Sequence, residues 1–257
     1  MMPLLQTELR KVLPYRTFWA ILLVFAGLLL LIFYSSSNIT VNNQRLGGDT
    51  FQFPGIWLKL TYIASYFNLL LGILVVILVT DEYTFRTLRQ QLIDGRSKAE
   101  AVGAKLGLIL TLGFGATLFL LLTGLGFGLV HSTERGGLAV VQEMPFLGFY
   151  LVQAVGYMSL ALLIGHLVRK SGLAILAFLV YAWVLEPLLH ARLPDSVDRY
   201  FPMKVFGSLT PFPEREMLEV VMGPTGALSP AQAVLPAILY SLLFCLLAYG
   251  VLRGRDV

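Results

Sequence analysis

Residues 61–100 read TYIASYFNLLLGILVVILVT and then DEYTFRTLRQQLIDGRSKAE, and this abrupt change from apolar to charged sequence decides the fold. The first half of the stretch contains no charged side chain, and about 20 apolar residues are enough for a helix to cross a bilayer. Backbone polar groups in hydrocarbon must be satisfied within the segment, so a continuous apolar run forms a helix, whereas barrel strands alternate in polarity. The stretch therefore predicts a transmembrane helix that ends in a charged loop.

The rest of the chain has the same character. Hydrophobic residues make up 57% of its 257 residues and charged residues only 13%, against about 25% in soluble domains. Spans are predicted at Phe18–Tyr34, Thr61–Val79, Gly107–Val130, Phe146–Val168, Ser171–Leu189 and Ala233–Leu252. We expect an all-α membrane protein with six transmembrane helices in a single domain, residues 1–257, whose first helix is retained rather than cleaved.

Lysine and arginine are distributed unevenly between the two predicted sides. One side is expected to hold 12 of the 19 basic residues: Arg10, Lys11, Arg16, Arg86, Arg89, Arg96, Lys98, Lys105, Arg169, Lys170, Arg253 and Arg255. Because cytoplasmic loops carry the excess of basic residues, we predict that both termini are cytoplasmic and that residues 190–232 form an outer segment. The same distribution accounts for the net charge of +4 and gives no reason to expect a nucleic-acid partner.

The charged stretch after the second span has the pattern of a short amphipathic helix. Phe85, Leu88 and Leu92 are spaced to share one helical face, and Glu82 is placed to pair with Arg86 at i,i+4. From these residues alone, the helix could lie on anionic lipid headgroups or dock in a groove of a partner protein.

A turn and a new helix follow. Asp94 and Gly95 predict a helix end, because glycine accepts the left-handed backbone found there. Ser97 and Glu100 form a capping box that begins the helix of the third span. At the other end of the sequence, an apolar stripe of Leu5, Leu9 and Val12 predicts an N-terminal interfacial helix before the first span.

The order of these features resembles the permease subunits of type-2 ABC transporters, the exporter class that includes ABCG-like proteins. The resemblance covers most of the chain and rests on Glu8-Leu9-Arg10-Lys11 in the N-terminal helix, on six spans and on the loop Glu82-Tyr83-Thr84-Phe85-Arg86-Thr87-Leu88-Arg89, with Arg96, Ser97, Lys98 and Lys105 after it. Arg86 and Gly95 stand where the family often has glycine and proline.

The resemblance implies that a cytoplasmic coupling helix, from about Tyr83 to Ile93, docks on a separate ABC ATPase subunit. Phe85 and Leu88 would then be its apolar plug, and its polar contacts would be Glu82, Arg86 and Arg89. ATP and Mg would be bound by that ATPase, and no cofactor by this chain. A second permease copy or a homologue would complete the channel among the lipids of a bacterial cytoplasmic (inner) membrane.

Several kinds of catalytic centre are excluded by missing motifs. The chain has no G-x-x-x-x-G-K-[ST] phosphate loop, no H-E-x-x-H and no G-x-S-x-G. His166 and Glu186 lie toward opposite membrane faces, too far apart to form one site. Cys245 is the only cysteine. We therefore predict no catalytic residue and no metal site, and the lack of ionisable residues at mid-membrane depth argues against ion-coupled transport.

Two further groups of residues have more than one interpretation. Glu186 and His190 are spaced to pair near the outer surface, either as a local contact or as an outer gate that touches substrate. A ridge of small residues on the third span allows close helix packing, within one subunit or between subunits. It contains Ala99 and the packing candidates Gly103, Gly107, Thr111 and Gly115.

The outer segment holds six prolines and two predicted short helices, one at Asp195–Arg199 and one at Glu214–Met222. It is either an ordered loop or a re-entrant cap over an exit path. In all, the sequence predicts the permease subunit of an ATP-driven exporter; the alternatives are a non-transporting scaffold or assembly subunit of the same fold, or an intramembrane protease.

Overall fold

A computed structural model describes residues 2–37, 40–41, 44–45, 51–132, 136–190, 192–213, 215 and 226–254. The first five helices in the described part of the chain are α1 (Met2–Val12), α2 (Arg16–Ser37), α3 (Ile56–Thr84), α4 (Thr87–Ile93) and α5 (Lys98–His131). Seven follow: α6 (Gly137–Val141), α7 (Pro145–Val168), α8 (Ser171–Val180), α9 (Glu186–His190), α10 (Asp195–Asp198), α11 (Pro202–Leu209) and α12 (Pro230–Arg253). Strands β1 (Thr40–Val41) and β2 (Gln44–Arg45) pair antiparallel.

The six-span prediction is confirmed. Among the described residues, six helical segments are long and apolar enough to cross a membrane: Arg16–Ser36, Ile56–Thr84, Lys98–His131, Gly137–Val168, Ser171–Leu189 and Pro230–Arg253. The second and third spans extend well beyond their predicted apolar runs, because α3 continues into the charged loop and α5 begins at the capping box of Ser97 and Glu100.

The fifth span is not one regular helix. Between α8 and α9 the residues Tyr181–Leu185 form a π-helical turn. Pro187 follows within the next turn and has no N–H to donate to the carbonyl of residue 183, so the regular α-helical pattern is interrupted there. Such π turns change the direction in which side chains point and are frequent at functional sites.

The spans pack around α3 and α7, which contact each other along much of their length. Helix α11 can approach α7 closely because residue 156 is glycine. A Cβ atom at Gly156 would overlap the ring of Phe206 on α11. The opposite surfaces of α2, α8 and α12 carry exposed leucines, as expected for helices that face lipid.

Helix α11 enters the bundle from the end opposite α4. Its residue Phe206 lies against Gly156, about 16 Å along α7 from Pro145 at 1.5 Å per residue. The re-entrant cap and the ordered loop both stay predictions for the outer segment. The first predicted short helix of the outer segment is observed as α10, whereas the predicted helix Glu214–Met222 lies outside the described residues except for Arg215.

Below, the α4 end means the end of the bundle formed by α1, α4 and the adjoining ends of the spans. The far end is the opposite one, where α6 and α10 lie.

Candidate functional site

The junction between α3 and α4 is sharper than the sequence predicts. Helix α3 runs through Thr84, and α4 begins only at Thr87, so the predicted helix start near Tyr83 is wrong. Between them, Arg86 has a left-handed φ of 56°, a conformation that L-residues other than glycine adopt at a cost. Glycine would adopt this backbone without that cost.

The end of α4 follows the prediction. Asp94 caps the helix and Gly95 has a φ of 91°. Ser97 then accepts a hydrogen bond from the Glu100 backbone, and the Glu100 carboxylate accepts one from the Ser97 backbone at 2.8 Å. Helix α4 is therefore held between two defined turns.

The side chains of α4 divide differently from the prediction. Leu88 is 1% exposed, whereas Phe85 is 69% and Ile93 is 74% exposed. Phe85 lies before the helix, so it does not share a helical face with Leu88, and that prediction is wrong. Leu88 anchors α4 to the bundle, which leaves it unavailable as an apolar plug for a partner. Arg86 and Arg89 are exposed, as docking contacts require.

Glu82 is also buried, at 7% exposure. The expected Glu82–Arg86 pair is not formed, because α3 continues past Glu82 and turns its side chain toward the bundle. There its Oε1 atom lies 2.9 Å from Lys105 Nζ and 3.4 Å from Lys11 Nζ. Gln91 Nε2 of α4 donates to the same oxygen at 3.4 Å.

Glu8 of α1 completes this group, which we call the ion cluster: Glu8, Lys11, Glu82 and Lys105. Lys105 Nζ lies 2.6 Å from Glu8 Oε2, and Lys11 Nζ lies 2.8 Å from Glu8 Oε1. Both Glu8 and Lys105 are almost fully buried, with 1% and 5% exposure. Two acids and two bases balance, so no net charge is buried, and the cluster ties α1, α3 and α5 together beneath α4.

The pKa of the Glu8 carboxyl reflects the two neighbouring lysines of the ion cluster. Burial alone would raise its pKa, but the charges and hydrogen bonds of Lys105 and Lys11 outweigh burial and lower the pKa below its ordinary value. Nearby, the Tyr15 hydroxyl donates to Asp81 Oδ2 at 2.6 Å, and this bond raises the pKa of Tyr15. The chain between α1 and α2 is thus bound to the end of α3.

His166 is a packing residue at this end, as its position near a span end predicts. It is 2% exposed, and its Nδ1 atom lies 2.7 Å from the Tyr83 hydroxyl. The guanidinium carbon of Arg169 lies 4.8 Å from the centre of the Tyr83 ring. Tyr83 therefore links the end of α3 to the end of α7.

A cavity of about 210 Å³ opens between α1 and the α3–α4 junction. Phe85 and Thr87 line its outer side and the ion cluster lines its inner side. A side chain inserted from outside the chain would lie next to the ion cluster.

Glu186 has a different role at the far end. It is 0% exposed, and its Oε1 atom accepts from the backbone N–H groups of Met203 at 2.5 Å and Lys204 at 3.2 Å. The carboxylate thus holds the first turn of α11. The side chain of its predicted partner, His190, lies outside the described side chains, so the outer-gate role of this pair stays a prediction.

The small-residue ridge makes little contact within the chain. A Cβ atom at Gly107 would lie 3.4 Å from Leu5 of α1, whereas at Gly103 and Gly115 none of the described atoms comes within 4 Å. Thr111 is exposed, and its hydroxyl donates to the Gly107 carbonyl of its own helix. Whether the ridge packs inside one subunit or between subunits stays a prediction.

Sequence reasoning missed the ion cluster as a unit. Its signal was present, since Glu8 lies three residues after Leu5 and four before Val12, on the same helical face as the apolar stripe. Lys105 similarly lies within the helix that leads into the third span. In the described part of the chain, no group of His, Cys, Asp and Glu residues could hold a metal ion.

The fold and this end of the bundle define a class: a multi-pass α-helical membrane protein with a short, partly exposed helix after its second span. A family model described as ABC-2 family transporter protein matches residues 4–184. The chain therefore belongs to the ABC-2 transporter family and is a membrane permease component of an ABC transporter. A search of curated proteins found no significant match to the sequence.

Proposed function

We propose that the chain is the permease of an ATP-driven exporter and that an ABC ATPase subunit docks on the exposed side of α4. The observation that carries this proposal is the division of α4 into two sides. Leu88 holds one side to the bundle, whereas Arg89 and Ile93 point away from it and continue the exposed surface of Phe85 and Arg86. We call these four residues the docking surface.

The chemistry of the docking surface suits a protein groove. Phe85 and Ile93 supply apolar area that a partner can bury. Arg86 and Arg89 supply planar guanidinium groups that bind carboxylates through two parallel hydrogen bonds. The partner surface is therefore expected to be an apolar groove with acidic residues at its edge.

The ion cluster gives the docking surface a mechanical connection to the spans. A displacement of α4 acts on Leu88 and Gln91, and Gln91 bonds to the same Glu82 oxygen that Lys105 and Lys11 approach. The adjoining ends of α1, α3 and α5 would then move together as a rigid body. ATP and Mg²⁺ would act on the partner subunit, and this chain would convert its closure into movement of the spans.

The proposal includes the surroundings of the chain. The α4 end, with both termini, would face the cytoplasm of a bacterial cell, since it carries most of the basic residues. A second copy or a homologue would complete the pathway within the lipids of the cytoplasmic membrane, and substrate would leave at the far end.

Co-purification tests the docking surface. The tagged full chain is expressed with the ABC ATPase of the same transporter, and recovered ATPase is measured after extraction in mild detergent. Arg86→Glu combined with Arg89→Glu is expected to reduce ATPase recovery about tenfold or more. The new glutamates would repel the acidic residues expected at the edge of the ATPase groove. Lys170→Glu is the matched control, since Lys170 is an exposed base at the same end outside the docking surface.

Two further variants separate docking from folding. Arg86→Gly removes the side chain and suits the left-handed backbone, so it should weaken docking while leaving the chain stable. Leu88→Asp would test folding instead, because Leu88 is buried within this chain. Equal ATPase recovery from the double variant and the Lys170→Glu control would contradict docking on α4.

The same double variant distinguishes the alternatives. If the exposed side of α4 only lies on anionic headgroups, charge reversal would weaken binding to anionic vesicles and leave ATPase recovery unchanged. A non-transporting scaffold would retain the ATPase but show no ATP-dependent substrate movement in vesicles. Peptide cleavage by the purified chain would support the protease alternative.

A further inference from the structure

A cavity of about 260 Å³ lies in the far half of the chain, between α3, α7, the π-helical turn and α11. Its walls are mainly aromatic: Tyr62, Tyr66, Tyr157, Trp183 and Phe212. A neighbouring cavity of about 460 Å³ shares Tyr157, Gly207 and Phe212 with it but is also lined by the bases Lys204 and Arg215. We call the 260 Å³ cavity alone the aromatic chamber. Tyr66 and Trp183 are 60% and 65% exposed and form its open rim.

The inner part of the chamber offers hydrogen bonds without charge. Gln153 is 1% exposed, and its Oε1 atom accepts from Asn68 Nδ2 at 3.2 Å and from the Thr210 hydroxyl at 3.1 Å. Its Nε2 atom donates to the Phe206 carbonyl at 2.9 Å, which leaves the second amide hydrogen for a ligand. Ser65 adds a hydroxyl to the same wall.

The lining determines the charge of a ligand. Among the described residues, no acidic or basic side chain lines the 260 Å³ cavity. An ionised ligand would lose its hydration there without gaining a counter-charge, which is costly. Aromatic rings, in contrast, gain contact energy from stacking and edge-to-face packing against aromatic walls.

Local backbone features keep the chamber open. At Gly207, which lines both cavities, none of the described atoms would come within 4 Å of an added Cβ atom. The π-helical turn places Trp183 on the rim. We infer that the aromatic chamber binds an uncharged, ring-bearing molecule with a hydrogen-bonding group, and that this is the substrate class of the transport proposed above, on which this last step rests.

Binding of N-phenyl-1-naphthylamine to the purified full chain tests the inference. This probe is an uncharged ring compound with one N–H group, and its fluorescence rises in apolar surroundings. Saturable binding is expected, and Gly207→Leu should weaken it about tenfold or more by filling the chamber. Gly148→Leu is the matched control, because Gly148 is another far-half helical glycine with no described atom within 4 Å of an added Cβ, and it lies outside the chamber.

Two comparisons keep the test decisive. Trp183→Ala changes a rim residue that is 65% exposed, so it should disturb packing little, and it should weaken binding about three- to tenfold. The anionic analogue 8-anilino-1-naphthalenesulfonate has the same rings, and its binding should not depend on Trp183, which lines the aromatic chamber but not the neighbouring cavity with Lys204 and Arg215. Binding that is equal in all variants would overturn the chamber, and equal Trp183 dependence for both probes would overturn the preference for uncharged ligands.

Failure here is distinguishable from failure of the proposed function. Probe binding uses the chain alone and requires no ATPase, whereas ATPase recovery requires no ligand. Probe binding that depends on Gly207, together with ATPase recovery that ignores the docking surface, would support the chamber and contradict the coupling proposal. Probe binding that ignores Gly207, together with ATPase recovery that depends on the docking surface, would support the coupling proposal and contradict the chamber.

Discussion

At the α4 end, Glu8, Glu82 and Lys105 are buried as ions in contact with one another, whereas the buried polar group beside the aromatic chamber consists of the uncharged Asn68, Gln153 and Thr210. The described far half does contain buried carboxylates, but Glu186 holds the first turn of α11, Asp198 pairs with Lys204, and neither lines the 260 Å³ cavity.

The difference has a physical meaning. Removing one partner from a buried ion pair is very costly, so the ion cluster holds its helices in one arrangement. A neutral amide or hydroxyl bond contributes only about 1 kcal/mol, so it can be exchanged for a bond to a ligand. The ion cluster thus lies where we expect force to be transmitted, and the uncharged groups beside the aromatic chamber lie where we expect a ligand to bind.

The largest effect is expected from breaking the ion cluster. Lys105→Met leaves Glu8 and Glu82 facing each other with only the half-exposed Lys11, and it should destabilise the chain by about 3 kcal/mol or more. The melting midpoint of the purified chain in detergent measures this loss. Lys170→Met, at an exposed position, is the control, and equal midpoints for the two variants would contradict the role of the cluster.

A smaller effect is expected where α11 enters the bundle. Gly156→Val places a side chain in the space of the Phe206 ring and should cost about 2 kcal/mol by overpacking. Gly148→Val on the same helix has open space and should change the melting midpoint little beyond the helix propensity of valine. If Gly156→Val is as stable as its control, α11 does not lie against α7 as described.

The two capping boxes allow a direct comparison of the two ends of the bundle. Loss of either cap is expected to destabilise the chain by about 1 kcal/mol. Ser97 begins α5 at the α4 end, and Ser229 begins α12 at the far end with Gln232 as its partner. Ser97→Ala and Ser229→Ala should therefore lower the melting midpoint by similar amounts. A much larger loss for one serine would show that it does more than cap its helix.

The smallest effect is a difference in pH dependence. The pKa of Glu8 is lowered in the folded chain, so its stabilisation is present above the ordinary pKa of glutamate and is lost as the pH falls through the folded value. Wild type should lose more stability on acidification than Glu8→Gln, which has no carboxylate to protonate. Parallel pH profiles of the melting midpoint would contradict the lowered pKa.

Some of this structure could be predicted from the sequence, and the reasons are local. The spans follow from apolar runs, and the end of α4 and the start of α5 follow from Gly95, Ser97 and Glu100, whose effects act within one turn. The start of α4 could not be predicted in this way, because the helical pattern continues through Arg86 while the backbone does not.

The roles of Leu88 and Glu82 also depend on distant residues. Helical spacing predicts which side chains share a face, but not whether the face meets the bundle or a partner. Glu82 turns inward because Lys105, Lys11 and Gln91 lie there, on three other helices. Likewise, Glu186 binds the backbone of α11, and only the fold brings these two segments together.

Site-specific photocrosslinking in intact cells tests directly whether the ABC ATPase docks on the exposed side of α4. A photoreactive amino acid replaces Arg89 on the docking surface or, in a matched variant, Leu138, which is 91% exposed on α6 at the far end. We expect a covalent adduct with the ABC ATPase from position 89 and none from position 138. An ATPase adduct from position 138, or only lipid adducts from position 89, would contradict docking on α4.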